Sequence, residues 1–230
     1  MRIALLNPNA SQHITDRMTA QAKLAASDAC EIIGYTNPTG PAVIRSRVEN
    51  AAAIDGLLTM AQIHARHADA VILGVSMDTA LDALRQALPV PIVGTTEAAL
   101  ATAGMLGGRI GLLTVGPALI PLYAELVDRY GYRGRVAAIR GIETTAAYGE
   151  SLVPEVVAAM DAAVHALVHE DGADVVVTVA AALCGYVPAV AERADVPVLD
   201  GIACATVQAL ALARLAPRKA THGSFAIPRR

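Results

Sequence analysis

The 230-residue chain repeats itself at a spacing of nearly half its length. ADAVILGV from Ala68 returns as ADVVVTVA from Ala173, VPIVGT from Val90 as VPVLDG from Val196, and RIALLNPNA from Arg2 as RIGLLTVGP from Arg109, at offsets of about 105, 106 and 107. A slippage of a residue or two across three separate segments describes two similar halves. The repeated segments are short apolar runs rich in β-branched residues, and Ala/Leu-rich amphipathic stretches lie between most of them. That alternation predicts parallel strands covered by helices on both faces. The expected strands are Ile3 to Leu6, Glu31 to Tyr35, Ala70 to Leu73, Ile92 to Val93, Ile110 to Leu113, Val136 to Ile139, Val175 to Val179 and Val198 to Leu199. The fold class is therefore α/β, with two pseudo-symmetric, doubly wound parallel-sheet halves over residues 1–104 and 105–212. The carboxy-terminal stretch 213–230 is expected to pack back on the first half. Ligands of open α/β sheets bind outside the carboxyl ends of the strands, so the expected site is the cleft between the halves.

Composition removes several classes of function. The chain is 54% hydrophobic, enough for a sizeable core, and carries a net charge of -3 with no Trp and one Phe. It has neither the basic stripe nor the aromatic platforms of a nucleic-acid binder. MRIALLNPN holds too short an apolar run for a secretory signal. The uncharged run from Val175 to Ala191 is broken by Gly185 and Pro188 and falls short of the roughly 20 residues of a membrane span. Cys30, Cys184 and Cys204 are odd in number and lack CxxC or Cys/His spacing, which argues against disulfides and zinc and for a reducing cytoplasm. No GxGxxG, P-loop or ligand cluster implies a nucleotide, cofactor or metal. The expected partner is a small molecule, with no nucleic acid and no membrane.

The repeat names candidate site residues in pairs: Asn7-Pro8-Asn9 with Thr114-Val115-Gly116, Val75 with Ala180, and Gly94-Thr95 with Asp200-Gly201. Asn7, Asn9 and Ser11 precede a helical pattern, where side chains and amide N–H groups suit a carboxylate or ureide oxygen; helix capping is the competing role for Asn9 and Ser11. Gly74 and Val75 end a buried strand. Ser76 can donate to a substrate oxygen, although no histidine lies near it in sequence to activate it as a nucleophile. Asp78 is a candidate general base, and the N-cap of the next helix is its competing role. Thr95 is a candidate ligand contact, while Thr96 and Glu97 read as capping chemistry. Thr114 and Gly116 mirror Asn7 and Asn9 as a second anion cradle, and Ala180 and Ala181 mirror the Val75 strand end. Cys184, four residues beyond Ala180, is a candidate proton carrier whose competing role is packing, the role read for Cys30 and Cys204. Tyr148 suits a flap or a surface loop. His13, His64, His67, His165 and His169 are read as solvent-facing, and His222 lies in the tail.

RIALLNPNAS, NPTGPAVIRSR, DxxLDALR from Asp78, VPIVGTTEAA, VPVLDG and the ending HGSFAIP, in that order, resemble the hydantoin/allantoin racemase branch of the aspartate/glutamate racemase superfamily. The likeness spans almost the whole chain. It implies a cofactor-independent, homo-oligomeric two-half enzyme that removes a proton from one face of an acidic carbon and returns one to the other. The family does this with two cysteines, one at a strand end of each half. Counting from ALDALR places the first at Val75; VPVLDG and the repeat place the second at Ala180, or at Thr178 with a two-residue gap. Neither position holds a thiol, and valine and alanine carry no transferable proton.

Three functional readings follow. The chain racemises or epimerises a small carboxylate or a hydantoin- or allantoin-like compound with other groups in place of the thiols. Alternatively the scaffold serves a related reaction, such as decarboxylation, cis-trans isomerisation or cyclic-amide hydrolysis; the superfamily's arylmalonate decarboxylases and maleate isomerases each keep at least one cysteine. In the third reading it binds a small acid or ureide without turnover.

Overall fold

The computed structural model describes residues 1–226; Ile227 to Arg230, the end of the HGSFAIP segment, lie outside the described residues. The chain forms two compact units, Met1–Gly94 with Ala205–Arg230, and Thr95–Cys204.

In the first unit the elements run β1 (Arg2–Asn7), α1 (Gln12–Ala26), β2 (Glu31–Thr36), α2 (Arg47–Ala52), α3 (Ile54–His64), β3 (Ala70–Leu73), α4 (Leu81–Ala87) and β4 (Ile92–Gly94). The sheet is wholly parallel in the order β2-β1-β3-β4. A parallel sheet covered on both faces needs continuous apolar strands. β3, AVIL, is buried at all four positions, and β1 is buried from its second residue to its last. Ile3, Leu5 and Leu6 of β1 are fully buried, as are Met18 of α1 and Leu57 of α3. Close-packed residues of this size each contribute on the order of 2 kcal/mol by leaving water.

The second unit repeats the plan with α5 (Thr95–Ala103), β5 (Ile110–Val115), α6 (Ile120–Arg129), β6 (Val136–Ile142), α7 (Pro154–His169), β7 (Val175–Thr178), α8 (Val187–Ala191) and β8 (Val198–Asp200). Its strands are parallel in the order β6-β5-β7-β8, the same permutation as in the first unit. Helix α6 shows why the local sequence folds as it does. Pro121 sits in the first turn, where the missing N–H costs nothing, and Tyr123, Leu126 and Val127 recur at helical spacing to bury one face. Leu113, Val156, Met160, Leu167 and Tyr186 anchor this unit's core.

α5 follows β4 directly in the chain but packs on β7 and β8 of the second unit. The last helix, α9 (Gly201–Leu215), leaves β8 and from Ala205 onward is grouped with the first unit. The described part of the tail lies against α4: Lys219 Nζ donates to the Arg85 carbonyl, and Gln86 Nε2 donates to the Ser224 and Ala226 carbonyls at 3.3 and 3.5 Å. Among the described residues no helix is long and apolar enough to cross a membrane.

All eight expected strands are present, several of them one to three residues longer at the carboxyl end. β1 continues to Asn7 and β5 to Val115, because ladder pairing with neighbouring strands carries on into residues that are polar or near a turn.

Candidate functional site

The carboxyl end of β1 is a hydrogen-bonded knot. Asn7 is fully buried, and its Nδ2 donates to Asn9 Oδ1 at 3.0 Å and Thr15 Oγ1 at 2.9 Å while its Oδ1 accepts the Asn9 amide at 3.1 Å. Asn9 Oδ1 in turn accepts the Ser11 amide at 2.9 Å. The loop after β2 is laced to this one by Asn37 Nδ2 donating to the Pro8 carbonyl at 3.0 Å and the Ala10 amide donating to Pro41 at 2.9 Å. Asn7 is thus spent on holding the loop. Ser11 stands at the N-cap position of α1 but does not cap it, since its hydroxyl donates to the Ala42 carbonyl at 2.6 Å. Two features here suit an oxygen-rich ligand. The first turn of α1 has no capping side chain and no acidic residue, and the Asn9 Nδ2 donor has no partner among the described residues although Asn9 is only 8% exposed.

The β3 end departs from expectation. The helix after it begins at Leu81, with Ala80 rather than Asp78 at the N-cap position and no side-chain bond from that residue. Asp78 and Ala80 instead hold left-handed backbone conformations, φ 47° and 56°. This tight turn points the chain from the strand into α4 and leaves Asp78 buried, its carboxyl lying against Gly94 at the end of β4. A Cβ on Gly74 would stand 2.8 Å from the Met18 methyl, the end of a flexible side chain that would have to shift. Val75 is buried and Ser76 half-buried.

In the second unit Thr114 is fully buried at the end of β5, and its Oγ1 has no hydrogen-bond partner among the described residues. Gly116 turns the chain with φ +82°, and its amide donates to the Ile142 carbonyl at 2.9 Å, which takes that N–H out of the expected anion cradle. Ala180 and Ala181, both half-buried, lead from β7 into a single 3-10 turn over Ala181–Leu183. That turn carries Cys184 back to the end of the neighbouring strand. The Cys184 thiol is hydrogen-bonded to the Asp200 carboxyl. Asp200 Oδ1 also accepts the Ile202 and Ala203 amides at 2.8 and 3.1 Å, and Oδ2 the Gly185 amide at 3.4 Å. Burial pushes the Asp200 carboxyl above the ordinary carboxylate range, and these donors offset the shift only in part. Thr95, the first residue of α5, is buried in this unit with its methyl against Gly201.

Each unit therefore buries one carboxyl at the ends of its third and fourth strands. The internal repeat pairs Asp200 with Gly94 but assigns it no chemistry, although an Asp between a strand and a long helical pattern is a detectable capping signal. Other side chains settle elsewhere. Tyr148 packs against the second unit's core. His67, His165 and His169 are exposed, whereas His64 stacks on Tyr35 at 3.7 Å between ring centroids. Among the described residues no group of three or more His, Cys, Asp or Glu is placed to hold a metal ion.

The model of the Asp/Glu/hydantoin racemase family matches residues 3–209. The chain belongs to that family. It is 28% identical over 234 residues to the hydantoin racemase of Rhizobium meliloti, covering 100% of this chain and 95% of the relative. Among solved structures it is similar to the allantoin racemase of Pseudomonas fluorescens, with 28% identity, a TM-score of 0.90 and coverage of 100% and 98% of the two chains. The allantoin racemase of Klebsiella pneumoniae superposes with a TM-score of 0.94 at 24% identity over 100% of this chain and 94% of the other, a likeness of fold. Within this family's fold, the third-strand ends carry Val75 and Ala180.

Proposed function

We propose that this member of the family is a cofactor-independent isomerase that racemises or epimerises a small carboxylate or a hydantoin- or allantoin-like ring by moving a proton at an acidic carbon. The observation that carries the reading is the family match over residues 3–209, with relatives named for racemising hydantoin and allantoin. Asn9 Nδ2, the uncapped start of α1 and the Ser76 hydroxyl serve as donors to substrate oxygens, which would carry negative charge once the carbon is deprotonated. Asp78 and Cys184 stand three and four residues beyond the apolar positions Val75 and Ala180 and take over the carriage of protons. The enzyme works as a homo-oligomer in the cytoplasm, where its three free cysteines stay reduced.

A second reading draws on Val75 and Ala180 themselves. With no thiol at either position, the scaffold instead serves decarboxylation, double-bond isomerisation or ring opening, in which one correctly placed proton is enough. Incubation of single enantiomers of 5-substituted hydantoins, allantoin and amino acids in heavy water separates the readings. Deuterium at the stereocentre together with loss of optical rotation is the expected result. Release of carbon dioxide or ring opening supports the second reading. Thermal stabilisation without any turnover marks a binder and sinks both.

A further inference from the structure

Asp200 has a bonding pattern that a helix cap alone does not require. One oxygen accepts the first amides of α9, which completes the capping role. The other accepts the Gly185 amide at 3.4 Å from the loop after β7, and the carboxyl also bonds the Cys184 thiol. Cys184 is 2% exposed and Asp200 5% exposed, so a thiol and a carboxyl are held together away from bulk water. The backbone accounts for this placement. The Cys184 amide donates to the Ala181 carbonyl at 3.2 Å and the Leu183 amide to Ala180 at 2.9 Å, so the 3-10 turn brings Cys184 back beside the half-buried Ala180–Ala181 segment. Gly185, at φ +86°, then reverses the chain and aims its amide at the same carboxyl.

We propose that Cys184 and Asp200 form a proton-carrying pair at the strand ends of the second unit, with Asp200 as the group that makes the Cys184 thiol basic. This rests on the isomerase reading for its substrate. In the forward step the Asp200 carboxylate takes the proton from Cys184 Sγ, and the resulting thiolate takes the hydrogen from the acidic carbon. The C–H electron pair stays on the substrate as an enolate. At that point the thiol is restored and Asp200 holds one proton as a carboxylic acid, so charge and protons balance. Return runs in reverse, the thiol giving its proton to carbon and Asp200 giving its own back to sulfur. The burial that holds the carboxyl above its ordinary range suits it to keep that proton between the two steps. The pair serves one face of the carbon, and by itself it exchanges hydrogen with retention. Asp200 acts through Cys184 and is a positioning and proton-storing residue; Cys184 is the group that meets substrate.

Two measurements on the full chain test this. The first needs no substrate. The native protein is treated with iodoacetamide and the alkylated peptides are followed by mass spectrometry, alongside the rate of global unfolding. The pair predicts that Cys184 is alkylated faster than the protein unfolds, and about tenfold or more slower in Asp200→Asn, because the amide cannot take the thiol proton. Alkylation of Cys184 only at the unfolding rate, or at an equal rate in Asp200→Asn, overturns the proposal. The second measurement is deuterium exchange into a hydantoin by wild type, Asp200→Asn and Cys184→Ala. Exchange lost in Cys184→Ala with an unchanged melting temperature supports the pair, and exchange retained there overturns it. Where Asp200→Asn fails to fold, the wild-type alkylation and Cys184→Ala decide. If wild type shows no exchange, the isomerase reading fails, and the alkylation result alone judges the pair.

Discussion

The Asp78 carboxyl occupies the space where a side chain on Gly94 would begin: a Cβ built on Gly94 would stand 2.6 Å from Asp78 Cγ and 2.7 and 2.8 Å from its two oxygens. Glycine at the end of β4 is therefore what allows a buried carboxyl to lie over the strand ends. The relationship is one of shape, and Asp78 is short and buried, with little freedom to step aside.

Gly94→Ala should accordingly destabilise the protein by about 1–3 kcal/mol through overpacking. The same substitution in an Asp78→Ala background should cost markedly less. Urea unfolding of the four proteins gives the coupling between the two sites, and equal costs in both backgrounds would show that Asp78 is not what Gly94 makes room for.

Ala80 holds φ 56°, a conformation that a Cβ makes unfavourable. Ala80→Gly should raise stability, by about 1 kcal/mol from relief of the left-handed strain, less the entropy glycine loses on folding. An increase in the urea midpoint at unchanged slope is the expected result; a decrease would mean that the turn is held for reasons other than local strain.

Asp200 predicts a pH dependence whose sign differs from that of an ion-paired carboxylate. Its folded pKa is raised above 3.8, so the folded state binds the proton more tightly than the unfolded chain. The stabilisation is complete below 3.8 and is lost as pH climbs through the raised folded value. The titratable groups known to face it are the Cys184 and Cys204 thiols, and burial raises the Cys204 thiol to about 11. Subtracting the stability curve of Asp200→Asn from that of wild type should therefore leave a term that declines with rising pH above the ordinary carboxylate value. A flat or rising difference contradicts the assignment.

Burial holds the Cys204 thiol at about 11, whereas Cys30 is partly exposed. Thiolate is the reactive form, so Cys204 should resist a disulfide reagent in the native protein and react only on unfolding. Cys30 should react ahead of it. Peptide mapping after timed labelling checks the order.

Thiols placed at Val75 and Ala180, where the family resemblance expects them, test whether these strand ends face the reacting carbon. Val75→Cys combined with Ala180→Cys should raise the racemisation rate of an enantiopure hydantoin about tenfold or more, as measured by loss of optical rotation, since general acid–base groups contribute factors of 10² or above. No gain from the double variant, with its fold intact, would place the reacting carbon away from both positions.

The two-unit α/β architecture and the eight strands were legible in the sequence. They follow from patterns local to the chain: continuous apolar runs of strand length, helical periodicity between them, and a repeat that aligns one half on the other. What those patterns do not contain is which polar side chain ends up facing which. Asn7 is read from the sequence as a ligand group, and which side chains its own amide meets, Thr15 a full turn into α1 among them, is seen only in the packed structure. Asp78 looked like a helix cap, yet two left-handed residues delay the helix and bury the carboxyl over Gly94. Asp200 and Cys184 lie on different segments of the chain, and only the parallel pairing of β7 with β8 and the 3-10 turn between them bring thiol to carboxyl. Hydrophobic periodicity determines the elements because burial acts on each segment's own face. Partnership between polar groups depends on directional bonds a few ångströms long, and it is settled by the packed tertiary structure alone.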